Sequence, residues 1–323
     1  RYSLAPVAAR LRELLPFPVN LANDCKGQEV RSLINAVEPG TVVLLENLRF
    51  HVGEEKNDPE FCRELARLAD HYVNDAFGTA HRTHASVAGL PLLFDQPAAG
   101  LLMEREIGFL SRVTHSPARP FVVIIGGAKV SDKTRVITNL LPLCDRLLVG
   151  GGAAFTLLKA LGFDVGKSLC EENLLSVVTA FVNNPKLILP QDCIVALSPD
   201  AKQRPRSVPV DSIPPDEMGL DIGPATVRQF IRALADAKTV VWAGPLGMFE
   251  KEPFSSGTVE VGRALAEATR RGALTIVGGG DTVAAISQFG LTGSITHVST
   301  GGSASLAFLE GKTLPGVAPL LKK

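Results

Sequence analysis

Lys129 and Lys133 stand four residues apart in Gly126-Gly127-Ala128-Lys129-Val130-Ser131-Asp132-Lys133, where a glycine turn passes into a helix start. Residues at that spacing share a helix face, so both ammonium groups can meet one anion. A phosphoryl group in flight carries charge spread over its oxygens, and an aimed ammonium lowers the barrier without covalent chemistry. Two surface lysines without a role are the plainer reading. Three further turns share the glycine design: Gly150-Gly151-Gly152, Gly278-Gly279-Gly280-Asp281 and Gly301-Gly302-Ser303. Each sits near the end of a predicted strand, where glycine lets backbone N–H groups approach a phosphate and a helix N-terminus favours negative charge. One such turn need only serve chain reversal; several in one region point to a phosphorylated ligand. Asp281 can cap the helix it opens, or hold the Mg²⁺ of a nucleotide, which needs only one or two protein carboxylates.

Two arginines lie just beyond apolar strands in the first half, Arg49 in Glu46-Asn47-Leu48-Arg49-Phe50 and Arg82 in Asn74-Asp75-Ala76-Phe77-Gly78-Thr79-Ala80-His81-Arg82-Thr83-His84. A guanidinium binds carboxylate or phosphate through paired hydrogen bonds, which suits a small anionic substrate; a structural salt bridge is the alternative. His81 and His84 lack a third metal ligand at a convincing spacing and fit better as extra donors for an anion. Neither a G-x-G-x-x-G nor a complete Walker A loop is present, since Gly162 to Ser168 is one residue short of the latter.

The elements that must position these residues follow a regular rhythm. Apolar runs at 121–125, 146–149, 239–242 and 274–277 end in or near glycines and alternate with helical patterns, which is the signature of β-α units in a parallel sheet. Ser131 is placed to cap a helix through Leu141, Pro224 to open one through Ala235, and Gly272 to close the one before it. The first half repeats the rhythm more loosely, with strands at 42–45 and 72–74 and a helix at 59–69. Residues 98–113 carry enough apolar surface for a connecting helix. The stretch 199–217 holds five prolines among polar residues and reads as a surface excursion rather than a core element.

Composition narrows the partners. A chain of 323 residues with 46% hydrophobic residues suits two domains. Thirty-three basic residues balance thirty-three acidic ones, so no overall field holds nucleic acid or an anionic membrane. No apolar run approaches the ~20 residues of a membrane-spanning helix. The five cysteines are dispersed and form no C-x-x-C pair, which favours free thiols and a cytoplasmic location.

Taken in order, 46–50, 74–86, 126–133, 242–250 and 278–281 resemble the phosphoglycerate kinases, as do Glu54-Glu55-Lys56-Asn57-Asp58-Pro59, Gly219-Leu220-Asp221-Ile222-Gly223-Pro224 and His297-Val298-Ser299-Thr300-Gly301-Gly302. The resemblance implies an α/β protein of two Rossmann-like parallel-sheet lobes joined by a hinge helix. It divides the chain into a glycerate-binding lobe at 1–97, the interdomain helix at 98–114, a nucleotide lobe at 115–300, and a segment at 301–323 returning towards the first lobe. Arg49 and Arg82 would bind 3-phosphoglycerate or 1,3-bisphosphoglycerate. Lys129 and Lys133 would meet the phosphates of ADP or ATP and the phosphoryl in transfer, and Asp281 would support Mg²⁺. Gly150, Gly151, Gly219, Leu220, Glu250, Gly278, Gly279, Gly280 and Thr282 would complete the nucleotide site, with Glu250 reaching the ribose. Closure of the lobes would bring the substrates together, and the complete protein would be a monomer.

Two departures accompany the likeness. Ala243 stands where asparagine is usual, removing a polar contact whose loss costs about 1 kcal/mol. Tyr2 to Pro6 match a segment well inside the family's first lobe, so that lobe is expected to be incomplete here, without the strands and the further arginine that normally precede it. The expected activity is reversible phosphoryl transfer between 1,3-bisphosphoglycerate and ADP, in glycolysis or carbon fixation. A non-catalytic nucleotide-binding remnant is the second reading, and another small-molecule kinase the third.

Overall fold

The computed structural model describes residues 2–201 and 204–321. The chain forms two units, Arg1–Glu104 with Thr313–Lys323, and Arg105–Lys312.

In unit 1, helix α1 (Ala5–Leu14), strand β1 (Val19–Leu21), helix α2 (Gln28–Ala36) and strand β2 (Val42–Leu44) make a β-α-β arrangement, with β1 and β2 parallel. Two short helices follow, α3 (Val52–Glu55) and α4 (Pro59–Ala66). The start of α4 was legible: Asp58 accepts a hydrogen bond from the Phe61 N–H at 2.8 Å and Pro59 takes the first turn, where its missing N–H is harmless. Strands β3 (Val73–Asn74) and β4 (Ala98–Ala99) form a second parallel pair. The small core gathers Cys25, Phe61, Cys62, Leu65 and Ala85. The carboxyl-terminal segment joins this unit: Asn74 donates to the Gly316 carbonyl at 3.3 Å, and the Gly316 N–H donates to Ala80 at 2.8 Å. The connecting helix, α5 (Leu101–His115), continues into unit 2.

Unit 2 contains the periodic strands: β5 (Phe121–Ile125), then helix α6 (Thr134–Leu140), β6 (Arg146–Val149), helix α7 (Gly151–Ala160) and a one-turn helix α8 (Leu175–Val178). Strands β7 (Leu187–Ile188), β8 (Asp192–Ala196), β9 (Arg206–Pro209) and β10 (Met218–Ile222) follow. Helix α9 (Pro224–Leu234), strand β11 (Thr239–Ala243), helix α10 (Ser256–Arg270), strand β12 (Leu274–Gly278), helix α11 (Gly280–Gln288), strand β13 (His297–Val298) and helix α12 (Ser303–Leu309) complete it. Six strands form one parallel sheet in the order β13-β12-β11-β5-β6-β7. All five residues of β5 and of β11 are buried, as expected of central strands covered on both faces. Below α9 and α10 the core packs Val122, Ile124, Phe230, Trp242, Leu246 and Leu265.

Three sequence expectations need correction. Ser131 does not cap a helix: α6 begins at Thr134 with Lys133 in the capping position, because the Ser131 N–H donates to the Glu171 carboxylate at 2.9 Å and is drawn away from a helical path. The proline-rich stretch at 199–217 is not merely a surface excursion; its residues 202 and 203 lie outside the described residues, but β9 pairs antiparallel with β8, and Val208, Val210 and Ile213 are buried against Phe155 and Val195. Proline is tolerated there because β9 is an edge strand. The segment returning to unit 1 starts at Thr313, not at residue 301, since α12 is held in unit 2 by a 2.8 Å hydrogen bond from Asn139 to the Leu309 carbonyl.

Candidate phosphate-binding cleft

Register explains why the glycine turns meet. Ala243 at the end of β11 pairs with Ile125 of β5 and Gly278 of β12, and Ile125 pairs with Val149 of β6. Neighbouring strands therefore stop level, and the turns after them open along one carboxyl edge of the sheet, where parallel sheets bind ligands. The turns are also stitched together: the Gly126 N–H donates to the Ala243 carbonyl at 3.0 Å and the Gly127 N–H to the Pro245 carbonyl at 2.7 Å. Gly244 has φ of 101°, and a β-carbon there would lie 2.1 Å from the Gly126 carbonyl oxygen, so only glycine permits this approach. The buried Trp242 indole N–H donates to the Gly244 carbonyl at 2.7 Å, and Thr282 accepts the Gly244 N–H at 2.6 Å.

These turns enclose a cleft of about 330 Å³ whose wall includes Lys129, Lys133, Gly279, Gly280, Asp281 and Thr282. Lys129 is exposed and Lys133 half-buried. Burial lowers the Lys133 pKa from the ordinary lysine value, while the charges of Asp132, Asp281 and Glu310 oppose the shift. Asp281 does not cap α11: no side chain caps that helix, Gly279 occupies the capping position with φ of 88°, and the Asp281 side chain is in the cleft. The backbone N–H groups at the start of α11 are left for an anion.

The remaining sequence candidates do not line this cleft. Gly150 follows β6 and faces Leu246 and Ile222, and the Gly151 N–H donates to the Leu246 carbonyl at 3.0 Å. Gly219 packs on the Phe155 ring in β10, and Leu220 accepts the Met248 N–H at 2.8 Å. Glu250 is exposed on the turn beyond β11, and Gly278 is buried as the last residue of β12. Ala243 is wholly buried beneath the turns. Beside Leu220, burial pushes the Asp221 carboxyl up to about 7, against hydrogen bonds from the Gly257 and Ile222 N–H groups. Arg49 and Arg82 are exposed in unit 1, and neither is in an ion pair among the described residues, so the salt-bridge alternative fails for both. Asn47 presents the Arg49 turn by accepting the Arg49 N–H at 3.0 Å.

The sequence reading did not assign Asp132, Gly244, Gly302, Ser303 or Leu306 to the cleft they line. Gly302 and Ser303 carried the same glycine-turn signal as their neighbours. A supporting network was also missed. Buried Glu106 of α5 holds His297 and Ser299 at 2.8 Å each through one oxygen, and the Thr300 N–H at 2.7 Å through the other. Burial pushes the Glu106 carboxyl up, but these hydrogen bonds outweigh it and leave its pKa below the usual glutamate value. The network fixes the 299–301 turn that leads into the cleft wall.

Known proteins share this plan. The family model described as phosphoglycerate kinase matches residues 1–312. A phosphoglycerate kinase of Pelotomaculum thermopropionicum is 52% identical, the match covering 100% of this chain and 82% of the relative. A chloroplastic phosphoglycerate kinase of Volvox carteri is 49% identical over 100% of this chain and 71% of its own length. The solved phosphoglycerate kinase of Coxiella burnetii superposes with a TM-score of 0.86 at 42% identity, over 98% of this chain and 80% of that one. With its four glycine turns, two cleft lysines and parallel sheet accounted for, the chain belongs to the phosphoglycerate kinase family.

Proposed function

We propose that this chain transfers a phosphoryl group reversibly between 1,3-bisphosphoglycerate and ADP, giving 3-phosphoglycerate and ATP. The observation that carries the reading is the convergence of Lys129, Lys133 and Asp281 on one glycine-walled cleft at the carboxyl edge of the sheet. In the forward direction a β-phosphate oxygen of ADP attacks the phosphorus of the acyl phosphate, the bond to the acyl oxygen breaks, and the carboxylate leaves; no proton need move. The protein's task is then placement and charge. The start of α11 and the Gly126–Gly127 turn offer backbone N–H groups to the nucleotide phosphates. The half-buried Lys133 ammonium, in surroundings less polarisable than water, answers the charge that builds on the moving phosphoryl. Lys129 adds a second, more solvated charge. Arg49 and Arg82 are free to hold the carboxylate or phosphate of the glycerate.

The cleft suits Mg²⁺, because Asp281 presents an exposed carboxylate that, among the described residues, neither caps its helix nor joins an ion pair. Asp281 would hold the ion, which supplies neutralisation of the nucleotide phosphates when bound. Gly150, Gly151, Gly219, Leu220, Glu250 and Gly278 would complete the nucleotide site, with Glu250 towards the ribose. Five free thiols support a reducing compartment, taken as the cytosol, and among the described residues no helix is long and apolar enough to cross a membrane. Cell fractionation and the native mass test the cytosolic, monomeric reading. The activity is tested by coupling ATP formation from 1,3-bisphosphoglycerate and Mg·ADP to a reporter enzyme. Turnover that depends on both substrates is expected; Mg·ADP binding without turnover would leave only the nucleotide-binding reading.

A further inference from the structure

Unit 1 contains a second group of chemistry-bearing side chains, separate from the cleft. Asp24 and Cys25 lie in the loop between β1 and α2, while His51 follows the turn that carries Arg49. Nε2 of His51 lies 2.6 Å from Oδ1 of Asp24, and the Cys25 N–H donates to that same oxygen at 2.6 Å. One nitrogen, one sulfur and one oxygen thus stand within 4.8 Å of one another, the one such group of three among the described residues. Cys25 is wholly buried, whereas the Asp24 side chain is 47% exposed and His51 27%. The imidazole is steadied by the Phe61 ring, 5.7 Å away.

We propose that Asp24, Cys25 and His51 bind a Zn²⁺ ion tetrahedrally, with a solvent water as the fourth ligand. Bonds of about 2.0–2.3 Å from zinc to oxygen, nitrogen and sulfur put tetrahedral ligand atoms roughly 3.3–3.8 Å apart. The trio already converges to that scale, and the exposed Asp24 need only turn about 1 Å away from His51 to admit the ion. Thiolate, imidazole and carboxylate together suit a borderline-soft cation and are a poor match for Mg²⁺, which demands oxygen ligands and keeps its waters. On binding, zinc takes the sulfur lone pair, the S–H proton goes to solvent, and the thiolate and carboxylate charges neutralise the ion. Lys26, Lys56, Asp58, Glu60 and Glu64 line the groove beside His51 with charges of both signs, so the local field does not expel a cation. Bound zinc would clamp the loop after β1 to the turn presenting Arg49.

The test is a titration of the whole reduced chain, stripped by chelator, with Co²⁺ as the visible probe and Zn²⁺ as competitor. One Co²⁺ per chain with thiolate-to-cobalt charge-transfer absorption is expected, displaced by stoichiometric Zn²⁺ and unaffected by millimolar Mg²⁺. Cys25→Ser should abolish the band and His51→Gln should weaken Zn²⁺ binding about tenfold or more. Cys170→Ser, at a half-buried thiol of unit 2, should change neither. Circular dichroism of each variant checks the fold, and His51→Gln, at a partly exposed position, decides the matter if Cys25→Ser unfolds. Absence of the band, undiminished binding in His51→Gln or Cys25→Ser, or loss of the band in Cys170→Ser would overturn the proposal.

Discussion

Lys129 and Lys133 bring the same charge to the cleft from different surroundings, one solvated and one half-buried beside acidic neighbours. A charge held out of water acts most strongly where new charge develops, so Lys133→Ala should lower kcat by about 10²–10³-fold while weakening nucleotide binding less than about tenfold. Steady-state kinetics beside a nucleotide titration separates the two; equal losses would assign Lys133 to binding alone. On the proposed reading of Asp281 as one of few protein ligands to the ion, Asp281→Ala should raise the Mg²⁺ concentration for half-maximal activity about tenfold. An unchanged Mg²⁺ titration would take the metal away from Asp281. The place of both residues in the cleft wall was legible because glycine turns at strand ends mark the carboxyl edge of a parallel sheet. That Lys133 itself stands in the capping position was not, because it depends on a hydrogen bond from Ser131 to Glu171, forty residues on.

At the scale of elements, Asp192 of β8 performs the capping that α9 lacks from its own residues. Its buried carboxylate accepts the Ala225 and Thr226 N–H groups at 2.9 and 2.8 Å, as well as the Thr226 and Ser207 hydroxyls. Burial pushes this carboxyl up, but the hydrogen bonds more than reverse it, and its pKa lies below the usual aspartate value. Such a group stabilises the fold fully above its unfolded pKa, and that contribution is lost as pH falls towards the native value. Asp192→Asn should therefore cost unit 2 about 2–3 kcal/mol near neutrality. Urea unfolding should find a smaller difference below about pH 4. A difference independent of pH would assign the loss to packing. The parallel strands were legible from their apolar runs, because central strands are buried on both faces. The β8-β9-β10 sheet was not: Val208, Val210 and Ile213 gain their burial only from Phe155 and Val195, and prolines masked the strand. Glu106 and His297, 191 residues apart, form a pair that no local spacing announces.

Across the whole molecule the two units differ in how well their apolar surface is covered. Unit 2 is organised on a six-stranded sheet, while unit 1 has two strand pairs. Tyr2, Phe17, Phe50, Leu92 and Leu101 of unit 1 are each more than half exposed. Calorimetry should resolve two transitions, with unit 1 melting first and only the later one raised by Mg·ADP. Ligand at a hundredfold excess over Kd should add about 2.7 kcal/mol to that transition. A single transition, or an ADP effect on the earlier one, would contradict this division.

Unit 1 is not one continuous stretch: Gly316 exchanges hydrogen bonds with Asn74 and Ala80, more than two hundred residues upstream. On a translating ribosome all of unit 2 emerges before Gly316 does, so its sheet can close while the earlier-made unit still waits for its last segment. The half synthesised first is then the half finished last. During that interval its Asn74 amide and Ala80 carbonyl must rely on water, and its apolar residues stay open to association with other chains.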